Sequence, residues 1–349
     1  MRFGLFWQTP GHEGSSLDRR YWETVEEIAL GEELGFRSAW LAESVFYPTR
    51  PMSNPLMVAI AAAQRTERIR FGTLAAQAPL HHPLHMATQA ATCDILTGGR
   101  LDLCLGGRWG TPAGQPLGNA ADVSAAESRE RVAESIELIK AAWTREEVTF
   151  EGKYWSTKDL PVLPKPVQKP HPPVLLAANS NDTFAYAGRL GLGVIGTMFS
   201  QPLPRMADRL AEFESAKPSV QPAHPQSAHV MVSFFVARTQ NEAHRLTREN
   251  WRDSDREAGR EFMRRRGIDP TQPDFATGAV GWMTWDFLKA TEVCIYDEPS
   301  ACVERLQALK EQLPTLDQCI LEFNRRGRIP SEKVRESMRL FAEKVMPKL

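Results

Sequence analysis

Three short stretches hold most of the side chains whose types and spacing suit chemistry. His81, His82 and His85 surround Pro83, where a loop turns into a helical run. Three histidines invite a metal, but no carboxylate or thiol stands beside them at ligand spacing, so the expected role is capping and packing at a helix start. Asn179-Ser-Asn-Asp-Thr183 closes a strand-like run and opens a helical one. Free backbone N–H groups and hydroxyls converge at such a junction, and the helix dipole favours an anion there. Ordinary N-capping by Asn181 or Asp182 explains the same residues. Gly106-Gly107-Arg108 follows another strand, where glycines let the backbone approach a ligand and an arginine can grip a phosphate. A mononucleotide phosphate is therefore a candidate ligand beside plain capping. No Ser/His/Asp order, Walker sequence or HExxH motif is present.

These groups need elements that hold them. Arg2–Gln8, Ser38–Ala42, Arg68–Leu74, Leu101–Leu105, Val174–Ala178, Val194–Met198, Val230–Ala237 and Cys319–Phe323 read as strands, being short and rich in β-formers. Between them lie helical runs, the first from Tyr21 to Leu34 with Gly35 as its stop, the second entered through Asn54-Pro55 as N-cap and first residue. Further helices read over 84–96, 125–143, 183–190, 205–214, 241 onward, 301–313 and 333–345. Val148–Trp155 reads as a hairpin, and 161–173 as a Pro-rich extended loop. Residues 252–289 break the rhythm, polar and scattered with Trp, Gly and Pro. Eight strands with crossover helices imply an α/β fold, a (β/α)₈ TIM barrel with insertions at its C-terminal face, as one domain over 1–349. The alternative, a doubly wound open sheet, calls for GxGxxG after the first strand, where Gln8-Thr-Pro-Gly-His stands instead.

The bulk numbers narrow the function classes. The chain has 42 basic and 43 acidic residues and a net charge of −1, so no electrostatic footprint for nucleic acid or a membrane surface is expected. The five cysteines form no CxxC pair and sit mainly in apolar stretches, as reduced core thiols do. No signal peptide is read at the N-terminus, and the longest apolar run, Leu56–Ala63, is too short to span a bilayer. A cytoplasmic location is expected.

A barrel places its site at the C-terminal ends of its strands. That rule selects Trp7 and Gln8; Glu43 and Ser44; Leu74, Ala75 and Gln77; Gly106, Gly107 and Arg108; Asn179, Ser180 and Thr183; Thr197 and Met198; Glu322 and Asn324. Along the chain, Met1-Arg-Phe-Gly-Leu-Phe, Gly35-Phe-Arg-Ser-Ala-Trp-Leu-Ala-Glu43, Ser53-Asn-Pro55, Arg70-Phe-Gly-Thr73, His82-Pro-Leu84, Gly99-Arg100, Pro173-Val-Leu-Leu-Ala-Ala-Asn179 and Ser337-Met-Arg-Leu-Phe-Ala-Glu-Lys-Val-Met-Pro347 occur in that order. In their order and spacing they resemble the bacterial luciferase-like flavin-dependent monooxygenase family.

The resemblance implies FMN over the barrel mouth, reduced by a separate flavin reductase and reacting with O₂ to a 4a-peroxyflavin that oxygenates a small organic substrate. It implies a phosphate held by Arg108, Asn179, Ser180 and Thr183, with Gly107 in the usual register of the arginine. It places a non-proline cis bond at Leu74-Ala75 against the flavin ring, ring contacts at Thr197 and Met198, a mobile lid over 252–289, and a homo-oligomer. Trp7, Phe46, Trp109, Phe199 and Trp282 are expected to line an apolar pocket. Luciferase itself has a catalytic histidine where this chain has Ser44, after Glu43. Ser44 is therefore expected to hydrogen-bond the reacting groups, and Glu43 to orient its loop. An Arg-x-His pattern found in alkanesulfonate oxygenases is absent from 232–237, which argues against a sulfonate. Two alternatives stand beside this: a hydride-transferring oxidoreductase of the same superfamily that uses a deazaflavin, and, from another class, a partner subunit without catalysis of its own.

Overall fold

A computed structural model describes residues 1–8, 16–45, 51–107, 124–178, 181–198, 202–220, 222–251, 285–290, 292–325 and 327–349. The first half of the chain alternates β1 (Arg2–Trp7), α1 (Leu17–Glu33), β2 (Ser38–Leu41), α2 (Pro55–Ala63), β3 (Arg70–Thr73), the two-residue β4 (Ala76–Gln77), α3 (Pro83–Leu96), β5 (Leu101–Gly106) and α4 (Ala125–Thr144). A hairpin of β6 (Glu147–Glu151) and β7 (Ser156–Pro161) leads by the Pro-rich loop into β8 (Val174–Ala178). Then come α5 (Asn181–Arg189), β9 (Gly193–Thr197), α6 (Leu203–Ser215), β10 (Ala228–Val236), α7 (Gln240–Glu249), α8 (Trp285–Ala290), β11 (Cys294–Asp297), α9 (Pro299–Gln312), β12 (Gln318–Glu322) and α10 (Ser331–Leu340).

Eight parallel strands close into a barrel in the order β12, β1, β2, β3, β5, β8, β9, β10 and back to β12. The closure is visible on β10, where His229 pairs with Gln318 on one side and with Ile195 on the other. This is a (β/α)₈ TIM barrel, and all eight barrel strands coincide with runs read from the sequence. β11 was not among them; it adds outside the ring and, among the described residues, pairs only with the far end of β10 at Ser233–Val236. The hairpin is longer than 148–155, with its turn at residues 152–155.

Local chemistry explains the element ends. Asn54 caps α2, its side chain accepting from Met57 N at 3.2 Å, with Pro55 at the first helical position. Gly35 takes φ of +90° after α1, a conformation that costs a side-chain-bearing residue and suits glycine.

Side chains alternate along each strand between two cores. Outward residues such as Leu5, Leu41, Phe71 and Leu103 pack under the helices in the larger core. Inward residues Phe6, Trp40, Cys104, Leu175, Ile195, Met231 and Ile320 fill the barrel as the inner layer of the core. Trp40 dominates that layer; its indole lies across Gly72, where a Cβ would run into the ring, and its Nε1 donates to Ser38 Oγ at 2.7 Å. The barrel is thus plugged below its mouth, and any ligand must sit above this layer.

Candidate active site

One layer above the plug, the alternation brings Gln8, Ala42, Leu74, Gly106, Ala177, Thr197, Ser233 and Glu322 to the inner rim at the C-terminal ends of the strands. One wall of this rim is polar. Glu322, 2% exposed, accepts from Gln8 Nε2 at 2.7 Å and from Arg325 Nη1 at 2.6 Å. The opposite wall includes three small residues, Ala75, Gly106 and Ala177. The Leu74–Ala75 peptide is cis, as the resemblance implies. Here β3 stops pairing with β5, and the Thr73 hydroxyl takes over, donating to Cys104 O at 2.7 Å and accepting from Cys104 N at 3.0 Å. Pairing with β5 resumes at β4, where Gln77 lies opposite Gly106. A Cβ built on Gly106 would stand 3.0 Å from Ala75 Cβ and 3.8 Å from Ala177 Cβ. Ala75, Gly106 and Ala177 therefore form a shelf of backbone and methyl groups, with Leu74 beside it.

Glu43 and Ser44 follow β2 at the same rim, and both are buried. Ser44 N donates to Met52 O at 2.7 Å, which holds its loop against the start of the α2 segment. Glu43 braces the turn after β3: Oε2 accepts from Gln77 N at 2.5 Å, and Gln77 Nε2 donates to Glu43 O at 2.8 Å. The second carboxylate oxygen, Oε1, lies 2.6 Å from His81 Nε2. Of the three neighbouring histidines, His82 is the cap of α3, Nδ1 accepting from Leu84 N at 3.2 Å, and its ring stands edge-on to His85. Burial and the neighbouring His85 both lower the His82 pKa. Capping thus describes His82 but not His81, whose partner is the rim carboxylate.

The other expected site residues divide. Thr197 is inward on β9, but Met198 is buried in the outer core and does not share its face. Trp7 also turns outward: its Nε1 donates to Glu27 Oε2 at 2.8 Å beneath α1, so its indole packs outside the barrel. The reason is parity, since Phe6 and Gln8 take the inward positions of β1. A side chain at Gly107 would meet Val132 Cγ2 at 2.8 Å and Ser128 Oγ at 2.9 Å on α4, so that register does not present a group to the mouth. Thr183 lies in the first turn of α5, where Asp182 reaches Arg129 at 3.6 Å. Arg108, Asn179, Ser180, Phe46, Trp109, Phe199 and Trp282 lie outside the described residues, as do residues 252–284 of the expected lid. Residues 285–290 form α8, with Trp285 and Leu288 buried and Trp285 Nε1 donating to Thr247 Oγ1 at 3.0 Å.

All five cysteines are free and buried, and burial pushes the thiols of Cys93, Cys294, Cys302 and Cys319 up to about 12, which leaves them protonated and unreactive at neutral pH. Among the described residues no three His, Cys, Asp or Glu groups converge as metal ligands, and no helix is long and apolar enough to cross a membrane.

The rim suits a planar heteroaromatic group in two respects. At Ala75, Gly106 and Ala177 the wall presents methyl groups and backbone, against which a flat ring can lie. Beside it, Gln77 Oε1 is buried with no hydrogen-bond partner, an acceptor that a ring N–H can satisfy.

A family model described as luciferase-like monooxygenase matches residues 1–316. The oxygenase component of a flavin-dependent trigonelline monooxygenase of Acinetobacter baylyi is 25% identical over 244 residues, 70% of this chain and 67% of that protein. An F420-dependent glucose-6-phosphate dehydrogenase of Kineococcus radiotolerans is 33% identical over 202 residues, 53% of this chain and 57% of its own length. These alignments thus span between about half and two thirds of the relatives' length. Among solved structures, the oxygenating constituent of 3,6-diketocamphane monooxygenase from Pseudomonas putida, in complex with FMN, matches with a TM-score of 0.79 at 22% identity, over 100% of this chain and 99% of that one. At that identity the likeness speaks for the fold.

Proposed function

We propose that this chain, which belongs to the luciferase-like monooxygenase family, is an FMN-dependent monooxygenase acting on a small organic substrate. The family includes both FMN monooxygenases and F420-dependent oxidoreductases. The observation that carries the reading is the shelf: Ala75, Gly106 and Ala177, where a Cβ built on Gly106 meets only the two alanine methyl groups within 4 Å among the described residues. Reduced flavin, when bound, supplies the two electrons that activate O₂ for transfer of one oxygen atom to substrate.

The chain's own residues bind, orient and keep the site dry. Thr183 and the N-terminal turn of α5, with Arg108, Asn179 and Ser180, would hold the phosphate; charge-assisted bonds of that kind fix the flavin at one end. Ala75, Gly106 and Ala177 would take the ring, and Thr197 and Ser44 offer hydroxyls near it. The Trp40 layer seals the floor, so water reaches the ring only from the mouth. Reduced flavin delivery by a separate reductase and assembly as a homo-oligomer belong to the same reading.

The test is a choice of cofactor. Protein mixed anaerobically with reduced FMN and then with O₂ should bind the flavin and consume oxygen faster than free flavin does. Reduction of the deazaflavin F420 by an alcohol or sugar phosphate without oxygen, and indifference to reduced FMN, would assign the chain to the other branch of its family. Binding of neither, with a partner protein required for flavin uptake, would make it a non-catalytic subunit.

A further inference from the structure

Oxygenation at the shelf leaves the Glu43–His81 pair without a task. The pair is built with care. Glu43 Oε1 lies 2.6 Å from His81 Nε2, Oε2 takes the Gln77 N–H at 2.5 Å, and the Gln77 amide returns to the Glu43 carbonyl at 2.8 Å. The Glu43 side chain is 3% exposed and that of His81 24%, so the carboxylate is enclosed in protein while the ring is partly accessible. The two bonds to Gln77 already tie the turn to β2, and His82 already caps α3. Neither bracing nor capping needs a histidine at 81.

The tautomer follows from the partners. A carboxylate only accepts, so His81 Nε2 carries the hydrogen, and neutral imidazole then keeps its lone pair on Nδ1. No described residue bonds Nδ1. The pair belongs to segments at the C-terminal ends of the strands: Glu43 follows Ala42 after β2, and His81 follows β4, whose Gln77 lies opposite Gly106 of the shelf.

We infer that His81 is the acid–base residue of this site and that Glu43 is its positioning residue. The inference rests on the monooxygenase reading and narrows its substrate to a compound with an acidic O–H or N–H, such as a phenol. His81 Nδ1 accepts that proton while the electron pair stays on the substrate; in a phenol it delocalises onto the ortho and para carbons. One of these carbons forms a C–O bond to an oxygen atom of the reduced O₂ as the O–O bond breaks, and its C–H proton passes to the phenolate oxygen as the ring rearomatises. The proton held by His81 goes to the other oxygen atom, which leaves as water. No electron passes through the imidazole, and the Glu43 carboxylate balances its transient charge, as in other carboxylate–histidine pairs.

Nitrogen NMR on protein labelled in histidine, without flavin and at a pH where imidazole is neutral, reads the tautomer. Wild type should show His81 protonated at Nε2, with the signal assigned by its loss in His81→Gln. In Glu43→Gln the amide oxygen stays on the Gln77 N–H and the amide NH₂ faces Nε2, so the proton should move to Nδ1. With reduced FMN, O₂ and a phenolic substrate, both variants should lose about 10²–10³-fold in substrate oxygenation, while the FMN dissociation constant stays within about twofold. His81→Gln alone decides the catalytic part if Glu43→Gln folds poorly, because the partly exposed His81 side chain holds no main-chain group. Active wild type with an equally active His81→Gln, or a wild-type tautomer protonated at Nδ1, overturns the inference and leaves the monooxygenase reading intact. Wild type that binds no reduced FMN and consumes no oxygen overturns both.

Discussion

Replacing Gly106 by valine challenges the shelf at its narrowest point. A Cβ there stands 3.0 Å from Ala75 Cβ, against about 3.5–4.0 Å for an ordinary carbon contact. Ala75 cannot rotate its methyl away, since that carbon is fixed to the backbone. Overpacking of this kind costs about 1–3 kcal/mol. With an unfolding entropy of roughly 2.1 cal/mol/K per residue, the 349 residues give about 0.7 kcal/mol/K, so the melting temperature should fall by only about 1.5–4 °C. The fold should therefore survive. Flavin binding should not, because the two γ-methyl groups stand in the space assigned to the ring; a loss of about a hundredfold or more in FMN affinity is expected, about 2.8 kcal/mol. Gly193→Ala is the control. Its Cβ would meet Leu175 Cγ at 2.9 Å at the opposite end of the barrel, so it should cost comparable stability and leave FMN affinity alone. Both are read by a thermal melt and by quenching of flavin fluorescence. A folded Gly106→Val protein that binds FMN as wild type does would refute the placement of the ring on this shelf.

Arg108→Ala and Thr183→Ala should each weaken FMN about ten- to a hundredfold while leaving riboflavin binding unchanged; equal loss for both ligands removes the phosphate assignment. Ser44→Ala should slow oxygenation by about tenfold, the worth of one neutral hydrogen bond, and a loss of a thousandfold in single-turnover rate would contradict that role. Gly72→Ala drives a methyl into the Trp40 ring, which its bond to Ser38 holds in place; a stability loss of about 3 kcal/mol or more is expected in a denaturant titration, and an unchanged midpoint counts against the plug. Burial pushes the Glu27 carboxyl above its usual 4.5, although bonds from Ser331 and Trp7 pull it back. The folded protein thus keeps a proton that the unfolded chain has lost, so this group's contribution is present below pH 4.5 and declines as pH rises through the folded value. Glu27→Gln, whose amide can accept from Trp7 and donate to Ser331, should gain melting temperature relative to wild type as pH rises from 4.5; a pH-independent difference would show that Glu27 ionises normally.

The barrel was legible because its signals are local. Each strand is a short apolar run closed by glycine, proline or a cap, and eight of them with crossover helices leave few topologies. β11 escaped because Cys294–Asp297 follows an irregular stretch and adds outside the ring, where no count of eight requires it. Site residues were harder, for two physical reasons. Parity decides which strand-end side chain faces the mouth, and one residue of register separates Trp7 from Gln8 or Met198 from Thr197. A list of strand ends also stops where strands stop. His81 comes after β4 and a further turn, and only the folded chain brings it within 2.6 Å of Glu43. The usable signal was chemical: Glu43 near a strand end and a histidine after the neighbouring strand, in a fold that gathers both at one face.

Ser44 and His81 then explain each other. A serine hydroxyl has no useful basicity near neutral pH without a partner, and Ser44 carries none from its sequence neighbours. Placing the base instead on the turn after β3 changes its surroundings in two ways. It is held by a carboxylate whose two oxygens are both engaged, so the ring has one orientation rather than several. It also shares its turn with the Leu74–Ala75 cis peptide and with Gln77, so the shelf, the unpaired acceptor and the base are fixed by one short segment braced on β2 and β5. A displacement of that segment would move all three together. Such coupling is what a site needs when substrate, ring and base must keep their relative positions to within about 0.5 Å, and it is the physical reason to expect that substitutions at Gln77 disturb flavin affinity and proton transfer at once.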